Sequence, residues 1–186
     1  YDSEMRLGAA IFSSDGNCAA SNIYVPLAAA AGSTVMTKLN AQGPSGNTPT
    51  ALALDTVIGK GLLNDATRGN YVVLATDGLP NCTDIDVQKR ITTLYNQTPS
   101  VKTFVIGIPG SAPYGTILDR LAVAAGTARA AEPRYYSVES SDASALATVL
   151  GQIAAQVTAT CTLTLTHAPK DATLVNVLLS GQAVPK

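Results

Sequence analysis

The 186-residue chain is poor in charge, in histidine and in long apolar runs, and each shortage excludes something. Charged residues make up 13% of it, about half the usual ~25% of a globular domain. The formal net charge of −1 offers no electrostatic reason to expect nucleic acid or an anionic membrane as a partner. No apolar run approaches the ~18 residues that a membrane-spanning helix needs, so no span is expected. The single histidine, His167, lies near the end of the chain and is expected at the surface. No Gly-x-Ser-x-Gly elbow accompanies it, and no acid/base pair stands out, so an enzyme is not expected. The loop Gly107-Ile108-Pro109-Gly110-Ser111 matches neither the Walker pattern nor Gly-x-Gly-x-x-Gly, and reads as a strand-to-helix turn. The spacing of the three cysteines excludes the usual zinc patterns.

Apolar residues, at 46%, supply ample core for one domain with a small appendage. An odd cysteine count in a chain rich in Ser, Thr, Asn and Gly points towards an exported protein, where disulfides persist. Tyr1 stands where an initiator methionine would, and the expectation is of a chain that begins partway into a longer one.

Strand and helix signals alternate along the first 158 residues. Residues 6–13 and 22–27 read as an antiparallel pair, with Pro26 placing the second at a sheet edge. Ser33-Thr34 starts a short helix. Thr48 is expected as an N-cap with Pro49 in the first turn of a helix running to about Leu63, with Leu52, Thr56 and Leu63 inward. The run Tyr71-Val72-Val73-Leu74-Ala75-Thr76 is a strand buried on both faces, and it stops at Asp77. Thr83-Asp84 precedes a helix over residues 85–97; Asp84 and Asp86 sit where a helix N-terminus favours negative charge, so capping is their expected role. Residues 101–108 form the next buried strand, 116–125 a helix with Gly126 beyond its end, and 135–138 a short strand. Ser141 or Asp142 caps the clearest helix, whose stripe is Leu146, Val149, Leu150, Ile153 and Val157. Residues 159–186 then change to a period of two and read as a β tail, or the start of a second β-rich module. Such alternation predicts an α/β fold, a mostly parallel sheet with helices on both faces and an antiparallel edge.

Asp77 would lie at a carboxyl strand end, where ligand crevices form in open α/β sheets. Thr-Asp-Gly after an apolar strand resembles the fourth strand of von Willebrand factor type A (VWA) domains. Asn47-Thr48-Pro49-Thr50 is similar to that family's threonine loop, and Met5 to Ser13 to its second strand. The resemblance covers residues 1–158 and implies a Rossmann-type fold. It also implies an extracellular or cell-surface adhesion module, in which a divalent cation held by Thr48 and Asp77 captures a carboxylate of a protein ligand. Mg²⁺ is the expected ion, with Mn²⁺ or Ca²⁺ able to substitute. The family's Asp-x-Ser-x-Ser signature is not in this chain. Its first strand and first helix are expected upstream of Tyr1, in a missing N-terminal fragment that would complete the metal site. The bland alternatives are that Thr48 only caps a helix, that Asp77 only stabilises a turn, and that the domain is a scaffold without a metal. Cys18 and Cys82 follow strands expected to run the same way, so a disulfide between them is feasible. Cys161 is expected at the opposite rim, without a partner in this chain.

Overall fold

The computed structural model describes residues 5–13, 18, 22–43, 46–82, 86–158, 167, 171, 178–179 and 182–183. Its centre is a parallel sheet of three strands, β3 (Asn70–Thr76), β4 (Val101–Gly107) and β5 (Tyr136–Ser137), in the order β3-β4-β5. β3 and β4 are adjacent and parallel with Asn70 opposite Val101 and Thr76 opposite Gly107, the arrangement expected for the two most apolar runs. Alternation along β4 sends its side chains into two cores. Val101 and Val105 face a core shared with Leu54, Ile91, Leu94 and Leu118, drawn from α2 (Thr50–Gly59), α3 (Val87–Asn96) and α4 (Gly115–Ala124). Phe104 and Ile106 face the other way, onto Val149 and Ile153 of α5 (Ala143–Thr158). Burying each such side chain contributes ~1.5–3 kcal/mol, and helices cover both faces as the alternation predicts.

β1 (Arg6–Ile11) and β2 (Asn22–Ala29) pair antiparallel, but as a separate two-stranded sheet and not as an edge of the central one. Its ladder shifts register around Gly8, where an added Cβ would lie 3.0 Å from the Val25 carbonyl oxygen. β2, which carries Pro26, has ladder bonds to β1 alone among the described residues, so the proline sits at an edge as expected. α1 (Gly32–Asn40) packs on this ribbon without burying any of its residues.

Several boundaries differ from the sequence reading. α2 begins at Thr50 with Pro49 as N-cap, and no side chain caps it. Pro49 takes φ −82° and ψ 54°, outside the helical range, so the helix starts two residues after the expected cap. It ends at Gly59 and not near Leu63, since Gly61 turns to φ +59° and its N–H donates to the Ile58 carbonyl. Its buried residues are Thr50, Ala51, Ala53 and Leu54, a face rotated from the one expected. α3 begins at Val87, capped by Asp86, whose carboxylate accepts the Lys89 N–H at 3.2 Å; Thr83, Asp84 and Ile85 lie outside the described residues. Asp142 caps α5 by accepting the Ser144 N–H at 3.0 Å, which holds its carboxyl below the ordinary range. Leu150 falls at the flank of the α5 stripe and is 42% exposed. Gly126 ends α4 at φ +68°, as expected. In the tail, β6 (Leu178–Leu179) and β7 (Gln182–Ala183) form a short antiparallel pair; Cys161 and the alternating run 160–166 lie outside the described residues.

Candidate functional site

The carboxyl rim of the sheet gathers loops from four places in the sequence. After β3 the Thr76 hydroxyl donates to the Gly78 carbonyl at 2.9 Å and accepts the Gly78 N–H at 3.3 Å. That small ring turns the chain immediately after the strand and leaves Asp77 pointing off the sheet end, exposed. Among the described residues the Asp77 carboxylate has no hydrogen bond and no ion pair. The loop after β4 closes against it: Ile108 N–H donates to the Thr76 carbonyl at 2.9 Å. Gly110, at φ +110°, lies against Asp77, where an added Cβ would make an ordinary contact 3.4 Å from its carbonyl oxygen. The backbone conformation, not the approach, is what favours glycine there.

Thr48 reaches the same rim from the loop before α2. Its backbone N–H donates to Asn81 Oδ1 at 2.6 Å, four positions beyond Asp77. Its side-chain hydroxyl is half-buried and makes no hydrogen bond among the described residues. Thr48 and Asp77 are therefore brought onto joined loops, with no direct bond between them, and Thr48 does not cap α2. The neighbouring Thr50 hydroxyl is buried with no partner. The contact of Asn81 with Thr48 was not expected from sequence, where Asn81 stands out as a side-chain amide in a breaker-rich segment just after a strand and as the first residue of an Asn-x-Thr glycosylation pattern.

The fourth contributor is the segment after β1. Cys18 is joined to Cys82 by a disulfide with a Cα–Cα distance of 5.4 Å. Both cysteines follow strands that end on this rim, which is the reason the pair was feasible from sequence. The bridge sits next to Asn81, so it steadies the loop that holds Thr48.

Chemically the rim offers hydroxyl and carboxylate oxygens, the donors that hard divalent cations prefer. Among the described residues no three His, Cys, Asp or Glu side chains cluster as a metal-ligand group. Asp77 and Thr48 fit a partial oxygen site, one that requires further ligands. No helix among the described residues is long and apolar enough to cross a membrane. Comparison with protein-family models finds no match to this chain, and comparison with curated proteins finds none either.

Proposed function

We propose that this chain is a VWA-like, extracellular or cell-surface binding module, not an enzyme, that holds a carboxylate of a protein ligand through a divalent cation at the carboxyl rim. The observation that supports the reading is the exposed Asp77 carboxylate, without a bonded partner among the described residues, on a loop joined through Asn81 to Thr48, whose hydroxyl likewise makes no bond among them. A carboxylate left bare at a strand end gains little from its surroundings, and a cation would use it. Mg²⁺ is the favoured ion, with Mn²⁺ or Ca²⁺ as substitutes, and it keeps open positions that an acidic side chain can fill. Two ligands make a weak site, so the cation would need further oxygens besides those of Thr48 and Asp77. Export agrees with the disulfide.

The scaffold reading is favoured by a different observation: a rim with one free carboxylate and no cluster of charged ligands among the described residues. Mn²⁺ titration followed by NMR separates the two. The expected result is paramagnetic broadening centred on the amides of Thr48, Asp77 and Gly78, reversed by EDTA and abolished in Asp77→Ala, whose circular dichroism stays unchanged. Broadening that ignores Asp77→Ala, or that is absent at millimolar Mn²⁺, defeats the cation reading and leaves the scaffold.

A further inference from the structure

The Cys18–Cys82 bridge joins the segment after β1 to the loop after β3, two strands that belong to different sheets. No backbone hydrogen bond among the described residues involves residues 79–82. That stretch is fastened instead by the bridge at Cys82 and by the Asn81 side chain, which accepts the Thr48 N–H. The same contact is the one hydrogen bond of Thr48 among the described residues. Thr48 is therefore held on the rim by a residue that is itself held by the adjacent cysteine.

The atoms are close as well as consecutive. Cys82 Sγ lies 3.6 Å from Asn81 Oδ1, the oxygen that receives the Thr48 N–H. A bridged sulfur carries no hydrogen, so in the oxidised chain it does not compete for that oxygen. A reduced Cys82 thiol is a donor, though a weak one, and it stands within reach of Oδ1. The bridge is also open to reagents, since Cys18 is exposed and Cys82 is half-buried. Exposed disulfides are among those that exchange readily and serve regulation.

We propose that the Cys18–Cys82 bridge is a redox switch on the rim, transmitted to Thr48 through Asn81 and operated by a dithiol reductant. A thiolate of the dithiol attacks Cys18 Sγ, the exposed sulfur, and the S–S bond breaks. The Cys82 sulfur leaves with the electron pair and takes a proton from water. The second thiol of the reductant then gives up its proton and displaces Cys18 Sγ from the mixed disulfide, and Cys18 is protonated in turn. The protein gains two electrons and two protons, and the dithiol ends as its own disulfide. Residues 79–82 lose their covalent tie to the segment after β1, the Cys82 thiol competes for Asn81 Oδ1, and the hold on Thr48 loosens. As regulation of the proposed cation site, the switch rests on that reading for its consequence, which is weaker cation binding in the reduced chain. Its own readout is the Thr48 amide. Mn²⁺ can thus fail to bind while the amide responds to reduction, and the reverse.

The test compares amide NMR spectra of the full chain before and after dithiothreitol. The Thr48 amide proton should move upfield and exchange about tenfold faster, the order of one lost hydrogen bond, while the signals of β4 stay in place. Oxidised glutathione should then restore both. Asn81→Ala should show fast Thr48 exchange before reduction and no further response. Asn81→Asp, which keeps an acceptor oxygen there, should respond as the wild type does, and so should Cys161→Ser. An unchanged Thr48 amide, a change that oxidation does not reverse, or an equal response in wild type and Asn81→Ala refutes the switch. Loss of the folded spectrum on reduction would make the bridge a staple of the whole domain. A response that vanishes in Cys161→Ser would belong to that cysteine. Either of these outcomes also refutes the proposal.

Discussion

Removing the Cys18–Cys82 bridge is the perturbation with the largest calculable effect on this chain. The bridge closes a loop of 64 residues in sequence separation, and the chain-entropy model assigns such a crosslink ~4 kcal/mol. That is a large share of the ~5–15 kcal/mol that holds an ordinary domain together. The effect should also be uneven. The β1–β2 ribbon shares no ladder with the central sheet among the described residues. Without the bridge it is held by the Arg6–Asp65 pair, by Phe12 and by Val25, which is buried. The ion pair joins side chains 40% and 26% exposed, and such pairs contribute ~0–1 kcal/mol. Cys18→Ser/Cys82→Ser, which leaves Cys161 alone, should therefore lower the unfolding free energy in urea by ~2–4 kcal/mol, the lower end allowing for residual order in the unfolded chain. Hydrogen exchange should show the ribbon amides opening before those of β3 and β4. A loss below ~1 kcal/mol, or uniform exchange across ribbon and sheet, refutes the idea that the disulfide is the main fastening of the ribbon.

Two further outcomes follow from side-chain roles. Thr48→Ala should change stability by less than ~0.5 kcal/mol, because the contact to Asn81 uses the backbone N–H, whereas Asp86→Ala should cost ~1 kcal/mol through the lost α3 cap; paired urea melts decide it, and equal losses would restore Thr48 as a cap. The Asp65 carboxyl is held below its ordinary range, first by the Thr67 hydroxyl and N–H and then by Arg6, with Arg68 also nearby at 3.7 Å. A carboxyl lowered on folding stabilises the protein above its unfolded pKa and loses that contribution as pH falls through the lowered folded value. The urea midpoints of wild type and Asp65→Asn should thus converge as pH falls through and below the ordinary carboxylate range; a gap that persists or widens on acidification contradicts the assignment.

The parts legible in the sequence were those whose cause is local or periodic. The apolar runs at residues 71–76 and 101–108 form strands that pair as parallel neighbours, although β3 is not buried on both faces as expected, since Val73 and Ala75 are exposed. The rule that glycine accepts φ > 0 placed Gly126 after α4, and the acidic residues expected near helix starts include Asp86 and Asp142, which cap α3 and α5. The crossover of strands to one rim was enough to bring Cys18 and Cys82 within reach. Other features depend on contacts between residues far apart, which periodicity does not encode. Thr48 looked like a cap because its type and the following proline suit one; in the fold Pro49 is the N-cap, and the Thr48 N–H donates to Asn81, 33 positions away. Asp65 carries no sequence signal of its partner, since folding sets Arg6 against it across 59 positions. The ribbon read as an edge of the central sheet because antiparallel pairs commonly lie there. Whether it pairs is decided by backbone hydrogen bonds, which carry no side-chain signature in the sequence.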